Sequence, residues 1–504
     1  MVIDKPLILK ASGNVTIEAL NDSDFVAWIR ANNVVFSGFN VTGGNAGIGL
    51  DNAQGCEIEN NSMFENDYGI GLISSSGNSI KNNLANSNHY QGVGLWTSSG
   101  NIIANNTIKN NGDNGIYLDS SSNNSISNNN ASNNYWHGIS LVSSSNNSFT
   151  GNNASNNNQS GIRIDESNNN KITDNDVSNN VNYHGIELSS SKNNEIRNNI
   201  ANSNHYQGIG LWTSSGNIIA NNTIKNNGDN GIYLDSSNNN SISNNIASNN
   251  NQSGIYIDES NNNKISDNDV SNNVNYHGIE LSSSNNNEIR NNIANSNHYQ
   301  GIGLWTSSGN IIANNTAKKN GGSGIYLKSS NSNNKVGNNI ACENDFFGIG
   351  LEDSSGNEVH RNIADKNWGG IVLGGSNNNK IVNNSASENE KRGISIGEYS
   401  SGNEVLYNIA NKNLDGIILL GSSNNNRIEN NTACENRGGG IDLGDSSRNE
   451  VRNNIVNKNF GGIILEASNN NRIENNTACE NGDRGIGLQD SSGKEVSDNI
   501  ANKN

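Results

Sequence analysis

Proline occurs once and cysteine four times among the 504 residues, and aromatic side chains make up only 5%. Four cysteines are too few for a scaffold held together by disulfides. Hydrophobic residues amount to 31%, well below the roughly 45–50% of an ordinary globular domain. No run approaches the ~20 apolar residues of a membrane-spanning helix. Basic residues are also scarce, and the formal net charge of −17 argues against a nucleic-acid groove, which needs a basic surface.

Asparagine and glycine dominate what is present, with 119 and 55 residues respectively. Both are poor helix formers, which excludes a large helical protein. A chain this polar would ordinarily be read as disordered. A fixed internal period contradicts that interpretation and has to be considered first.

A glycine followed by Ile, or once by Val, marks each repeat. Within a unit the alternation of Ile116 and Leu118 indicates a short strand with one face turned inward. Further apolar or small residues follow about eleven and sixteen positions after the glycine, as at Ile126 and Ala131. The glycine recurs 20 times, about 23 residues apart, at Gly47, Gly69, Gly92, Gly115, Gly138, Gly161, Gly185, Gly208, Gly231, Gly254, Gly278, Gly301, Gly324, Gly348, Gly370, Gly393, Gly416, Gly440, Gly462 and Gly485.

Asparagine columns accompany the glycine. One follows it by about nine residues in 18 of the 20 units, and two more follow by about 14 and 19 residues in all 20. Asn tolerates the left-handed backbone of sharp turns, and its amide both donates and accepts hydrogen bonds. Stacked amides are therefore expected to form a structural ladder, with each bond worth about 0.5–1.5 kcal/mol net. The middle column begins with Asn61, Asn83, Asn106, Asn129, Asn152, Asn175, Asn199, Asn222, Asn245 and Asn268.

Short strands, Asn turns and a unit of about 23 residues predict an all-β fold, a single-stranded right-handed parallel β-helix (solenoid) of about 21–22 coils. We expect three short strands in each coil. Residues 1–45 are interpreted as irregular N-terminal coils with an uncapped start, and residues 46–504 as regular repeats of one continuous domain.

The consensus G-I-x-L-x-x-S-x-x-N-x-I-x-x-N-x-A-x-x-N resembles the β-helix repeats of the NosD-like family, which includes archaeal surface proteins with long repeat arrays. The segments Val-Ile-Asp-Lys-Pro-Leu-Ile-Leu-Lys at 2–10 and Asn-Val-Val-Phe-Ser-Gly-Phe at 33–39 resemble the first coils of that family. The resemblance implies the fold across the whole chain. It also implies an extracellular or cell-surface location, whereas its functions span carbohydrate-binding, sugar-hydrolysing and copper-associated proteins.

The two ends differ from secreted members of that family. No basic or apolar leader follows Met1, and the chain stops at Asn504 on a ladder position. We therefore expect a piece of a longer surface protein. Open coils expose unpaired strand edges, so end-to-end self-association through uncapped coils stays open.

The outward columns of the Gly-Ile-x-Leu-x strands carry aromatic rings and carboxylates. Flat rings stack on the C–H faces of sugars, and carboxylates accept hydrogen bonds from their hydroxyls. The alternative is that the rings only stabilise the sheet as pairs on neighbouring strands. The predicted carbohydrate-binding residues are Trp96, Tyr117, Asp119, Asp165, Trp212, Tyr233, Asp235, Tyr256, Asp258, Trp305 and Tyr326.

Asp165 and Glu187, with Arg163 beside them, are the best catalytic candidates, since paired carboxylates suit glycoside hydrolysis. However, 161–223 and 254–316 match at 60 of 63 positions, and Tyr256 replaces the arginine in the second copy. A duplicated surface favours multivalent binding over a single active site. We therefore assign no catalytic residue. An enzyme is disfavoured but stays open.

Copper binding is suggested by the family resemblance. Histidines fall on neighbouring coils at His184 with His205 and at His277 with His298. Two imidazoles without a third ligand from Met or Cys make a poor transition-metal site. We assign no metal ligand and no cofactor.

The sequence thus predicts a rigid surface scaffold that binds polysaccharide or glycan through a multivalent Trp/Tyr/Asp face, without nucleic acid as a partner. The alternatives are a polysaccharide lyase, hydrolase or epimerase of the β-helix type, a copper-associated periplasmic NosD-like protein, and a purely structural surface spacer.

Overall fold

The computed structural model describes residues 1–330 and 332–504, and every regular element in these ranges is a β-strand. Over the same ranges there is no helix long and apolar enough to cross a membrane. The chain forms two compact units, Met1–Asn251 and Gln252–Asn504. In each unit parallel strands stack coil upon coil in two sheets, here called sheet 1 and sheet 2.

In the first unit, the third strand segment of a coil is short or reduced to a bridge. Sheet 1 consists of Val2–Ile3, Phe25–Ile29, Ala46–Asp51, Tyr68–Ile73, Val93–Trp96, Ile116–Asp119, Ile139–Val142, Ile162–Asp165, Ile186–Ser189, Ile209–Trp212 and Ile232–Asp235. Sheet 2 consists of Ile8–Glu18, Val35–Thr42, Glu57–Glu59, Ser79–Lys81, Ile102–Ala104, Ser125–Ser127, Ser148–Thr150, Lys171–Thr173, Glu195–Arg197, Ile218–Ala220 and Ser241–Ser243. The short third segments are Ser62–Phe64, Leu84–Ala85, Thr223–Lys225 and Ile246–Ser248.

The second unit repeats this arrangement. Sheet 1 consists of Ile255–Asp258, Ile279–Ser282, Ile302–Trp305, Ile325–Lys328, Phe347–Glu352, Gly369–Gly374, Arg392–Gly397, Asp415–Leu419, Gly439–Gly444, Gly461–Glu466 and Arg484–Gln489. Sheet 2 consists of Lys264–Ser266, Glu288–Arg290, Ile311–Ala313, Lys335–Gly337, Glu358–His360, Lys380–Val382, Glu404–Leu406, Arg427–Glu429, Glu450–Arg452, Arg472–Glu474 and Glu495–Ser497.

Among the described residues, each unit has 11 strands in sheet 1. The predicted right-handed parallel β-helix with about 23 residues per coil is therefore confirmed. The prediction of three strands per coil was wrong in most coils, because the third segment pairs only through single bridges such as Thr107 with Asn130. That segment lies between two left-handed asparagines, Asn105 (φ 57°) and Asn110 (φ 56°), so any strand there is short.

The core consists of inward apolar columns with asparagine rows at the turns. Ile116, Leu118 and Ile126 are fully buried, as predicted. In the middle row, the Nδ2 of Asn106 donates to the Ile80 carbonyl at 2.9 Å and to the Asn129 Oδ1 at 2.9 Å. The same arrangement recurs along both units, so these buried amides have hydrogen-bond partners.

Candidate functional site

The outward face of sheet 1 carries the residues predicted to bind carbohydrate, and all eleven are partly exposed there. Three strands of this face end on a tryptophan: Trp96, Trp212 and Trp305. This surface is called the tryptophan face below.

Each of these indole rings lies over a glycine two residues earlier in its own strand. A methyl group placed on Gly94 would come within 2.2 Å of the Trp96 Cη2, and the same contact would be 2.3 Å at Gly210 and at Gly303. Any larger residue would lift the ring off the strand, so the glycines hold the indoles flat against the sheet. The sequence contains this feature as the motif Gly-x-Gly-Leu-Trp, but the role of its second glycine beneath the indole was not predicted.

Aromatic neighbours surround each tryptophan. The Trp96 ring contacts Tyr68 edge-on at 5.5 Å and Tyr117 at 6.2 Å. The Trp212 ring contacts Tyr233 at 5.8 Å and His184 at 5.0 Å. These contacts place rings from three successive coils side by side on the tryptophan face.

The third tryptophan has a different environment. Trp305 packs on His277 at 4.8 Å. Tyr326, which lies beside Gly303 in the sheet register, directs its hydroxyl to the Glu352 carboxylate instead. Its ring lies over the Gly350 backbone, where a methyl group would come within 2.8 Å of it. The gap left by that glycine explains why the tyrosine turns toward the following coil.

The predicted carboxylates lie at the ends of the same strands. Asp119 and Asp235 are in register with Trp96 and Trp212 respectively. Each accepts a hydrogen bond at 2.9 Å from the hydroxyl of the serine that follows it. Lys328 takes this place beside Trp305, so the carboxylate accompanies two of the three tryptophans.

Asp165 is held by Arg163, whose Nη2 lies 3.0 Å from its Oδ2. The guanidinium is also 3.8 Å from Glu187, so the cluster expected from the sequence does assemble. The Oε2 of Glu187 also accepts a hydrogen bond from the Ser160 hydroxyl at 2.8 Å, a partner that we did not predict. Burial raises the pKa of Glu187, while Ser160 and Arg163 oppose that rise.

In the second copy Tyr256 replaces the arginine and lies in register with Glu280. Burial raises the Glu280 pKa from 4.5 to about 7, and the Asp258 charge adds to the shift. Ser253 donates a hydrogen bond to this carboxyl group at 2.9 Å. Burial, with the Asp258 and Glu280 charges, also raises the Tyr256 pKa to about 12.

A groove of about 520 Å³ runs beside Trp96 and Tyr117 and extends to Arg163. Its polar wall holds Gln91 and Asp113, joined by a hydrogen bond of 2.5 Å between Nε2 and Oδ2. Sequence reasoning missed both residues, because neither lies on the outward strand columns. The same pair recurs beside Trp212, where the Gln207 Nε2 lies 2.6 Å from the Asp229 Oδ2.

The histidines do not form a metal site. Over residues 1–330 and 332–504, no group of three or more His, Cys, Asp or Glu side chains could hold a metal ion. Burial lowers the pKa of His184 to about 4 and of His277 to about 3, and both rings pack against tyrosines of the next coil. The donor groups of the described residues therefore do not fit a copper site.

Comparison with known proteins begins with two family models. The model described as "Periplasmic copper-binding protein (NosD)" matches residues 4–183 and 152–293. The model described as "Right handed beta helix region" matches residues 273–385, 344–456 and 408–504.

One curated relative is a cell surface glycoprotein of Methanothermus fervidus. It is 38% identical over 63 residues, which is 12% of this chain and 11% of that protein. The match thus spans about a tenth of the relative's length.

Among solved structures, the periplasmic alginate epimerase AlgG aligns at 16% identity with a TM-score of 0.29, over 60% of this chain and 74% of that one. The A-module of the Azotobacter vinelandii mannuronan C-5 epimerase AlgE4 aligns at 11% identity and 0.27, over 69% and 86%. A catalytic domain of a GH87 alpha-1,3-glucanase in complex with tetrasaccharides aligns at 14% identity and 0.35, over 62% and 65%. At these values the likeness carries no inference about what this chain binds.

Proposed function

Because the chain belongs to the NosD family of right-handed β-helix proteins, we propose that it is a surface scaffold whose tryptophan face binds carbohydrate at repeated sites. The match to a cell surface glycoprotein supports an extracellular or cell-surface location. Copper is not part of this proposal, since the side chains that the structure describes do not fit a copper site.

The geometry of the three indoles supports the proposal most directly. Each ring is held flat over a glycine of its own strand and stays partly exposed. A flat indole offers a π-face to the C–H groups of a pyranose, and nearby hydroxyls, amides and carboxylates hydrogen-bond its hydroxyl groups. A packing role alone does not require that a large apolar ring be kept open to solvent.

Repetition of the site also favours a binding function over that of a purely structural spacer. Trp96 and Trp212 lie 116 residues apart in the first unit, so a polymer can engage both of them. Trp305 repeats the site in the second unit. Linked weak sites raise the overall affinity by mass action without new contacts. The scaffold would then hold a polysaccharide through several low-affinity contacts.

Stepwise replacement of the tryptophans tests this function. In affinity gel electrophoresis with soluble β-glucan, mannan and pectin, we expect Trp212→Ala to weaken retardation by the polymer that binds. The variant with all three alanines should not bind that polymer. Trp368→Ala is the matched control, because that indole stacks on Phe346 at 5.5 Å and precedes its strand, Gly369–Gly374, instead of ending it. Unchanged retardation in the triple variant would contradict the proposal.

A polysaccharide-cleaving enzyme is a second candidate, favoured by one observation. Glu280 has a pKa of about 7, which suits a general acid, and Asp258 influences it from the neighbouring strand. Glycosidases combine such an acid with a second carboxylate. This candidate predicts reducing-end or unsaturated-uronide release that Glu280→Gln abolishes; intact polymer after prolonged incubation would refute it.

A further inference from the structure

A slot between Phe25 and Trp96 in the first unit differs from the surroundings of the other two tryptophans. We propose that this slot is a separate binding site that takes one ring of a neutral saccharide between two aromatic walls. The inference rests on the proposed function of the tryptophan face, and it assigns a location and a ligand class that the repeated sites do not specify.

The floor of the slot consists of glycines on three neighbouring strands. Gly49 is in register with Gly71, and Gly71 with Gly94. The Phe25 ring lies over Gly49, where a methyl group would come within 2.8 Å of its Cδ2, and the Trp96 ring covers Gly94. Over Gly71 the space is open: apart from its chain neighbours, the only heavy atom within 4 Å of such a methyl group is the Trp96 Cζ3, at 3.6 Å.

The other two tryptophans have no such opening. The residue in register with Gly210 on the preceding strand is Glu187, and the one in register with Gly303 is Glu280. A glutamate side chain therefore occupies the position that Gly71 leaves open beside Trp96. The slot is a feature of the first coils and not of the repeat.

The dimensions fit a single sugar ring. The cavity measures about 370 Å³ and is lined mainly by apolar atoms, with Tyr68 and Ile73 closing it between the two walls. The Phe25 and Trp96 rings lie over Gly49 and Gly94, and the strands of these two glycines are two inter-strand spacings apart, or about 10 Å. One pyranose ring can then contact both walls at roughly 4 Å.

One polar side chain lines the slot, and a row of polar groups leads away from it. Asn45 lines it, and its Nδ2 donates to the Asp67 Oδ2 at 3.3 Å. The Asp67 Oδ1 lies 3.2 Å from the His89 Nδ1, and these two side chains are 35% and 71% exposed. This row offers donors and acceptors to ring hydroxyls. None of the described residues that line the slot is Lys or Arg, and the Asp67 carboxylate disfavours an anionic sugar, so a neutral saccharide fits best.

Filling the slot from its floor tests the proposal. The background is Trp212→Ala/Trp305→Ala, which leaves Trp96 as the one tryptophan of the face. Isothermal titration uses cellohexaose and mannohexaose as neutral probes and hexagalacturonate as the acidic probe. We expect at least one neutral probe to bind this background at least tenfold more tightly than hexagalacturonate. Adding Gly71→Val should weaken that binding by tenfold or more.

Gly397→Val is the matched control, since that sheet 1 glycine also has open space above it, with the Leu373 carbonyl oxygen at 3.9 Å. We expect it to change the affinity less than twofold. Valine suits an extended strand, and unchanged far-UV circular dichroism will show that Gly71→Val folds. Phe25→Ala removes one wall without filling the slot, and it should also weaken neutral binding.

Failure of this inference is distinguishable from failure of the proposed function. Binding that Trp96→Ala lowers but Gly71→Val and Phe25→Ala leave unchanged would overturn the slot and keep the tryptophan face. Tighter binding of hexagalacturonate than of both neutral probes would overturn the ligand class. Absence of binding by the wild-type chain to every probe and polymer would overturn the proposed function and this inference with it.

Discussion

Replacing Asn222 by alanine removes a buried side chain that takes part in four hydrogen bonds. Its Nδ2 donates to the Ile196 carbonyl at 3.0 Å and to the Asn245 Oδ1 at 2.9 Å. Its Oδ1 accepts from the backbone N–H of Asn199 at 2.9 Å and from the Asn199 Nδ2 at 3.0 Å. Asn222 is 1% exposed, so few of these partners can turn to solvent.

The expected loss of stability follows from the number of hydrogen bonds that the Asn222 side chain makes. Four hydrogen bonds at about 0.5–1.5 kcal/mol each give roughly 2–6 kcal/mol. A water molecule entering the space would recover part of this, so we expect a loss of about 3 kcal/mol in local stability. Asn182→Ala is the matched control: it removes one exposed amide bond, to the Asn158 Oδ1 at 2.7 Å, and should cost about 0.5 kcal/mol or less.

Native-state hydrogen exchange is the appropriate assay, because stacked coils open locally and a single unfolding midpoint would average over them. A loss of about 3 kcal/mol corresponds to roughly hundredfold faster exchange of the amides in the coils that flank Asn222. Peptides from 440–480 should exchange as in the wild type. Exchange of the flanking amides within about threefold of the wild-type rate would refute the stabilising role of the asparagine rows.

Two further predictions concern the buried carboxyl groups. Arg163→Tyr gives Glu187 the tyrosine neighbour that Glu280 has, so carbon-detected NMR titration should show the Glu187 pKa rising toward about 7. The control Thr173→Ser should leave the Glu187 pKa unchanged. An unchanged Glu187 pKa in Arg163→Tyr would contradict the assigned effect of the guanidinium. The folded-state pKa of Glu280 lies above its ordinary value of 4.5. Its coil should therefore lose on the order of 3 kcal/mol of stability as the pH rises from 4.5 to 7, and its stability should change little above pH 7. Glu280→Gln should remove this slope in local hydrogen exchange, and an identical slope in the variant would count against the buried acid.

Sequence pattern alone was sufficient for the fold. The alternation of Ile116 and Leu118 identified the inward column, and both side chains are fully buried. The asparagine columns identified the turns only to within one residue, because the left-handed residue is Asn105, directly before the ladder residue Asn106. These features repeat in most coils, so each one could be read from many copies. The reduced third segment was missed, since single bridges and short strands share one residue pattern.

The site was only partly predictable. The alternation of side chains along a strand predicted that Trp96 and Tyr117 face outward. No spacing rule reveals that Gly94 lets the indole lie flat, or that Gly350 lets Tyr326 turn away. The raised pKa of Glu280 depends on burial and on Ser253 from the preceding coil. Such properties arise from side-chain packing between coils, which a single sequence does not display.

A glycan-array screen of the purified chain, run beside the variant with alanine at Trp96, Trp212 and Trp305, tests the central claim most directly. The account predicts that the wild-type chain binds at least one saccharide class and that the triple variant loses this binding. Product analysis on the bound polymer should show no cleavage. Absence of binding to every glycan on the array, or equal binding by the two chains, would contradict the claim that the tryptophan face binds carbohydrate.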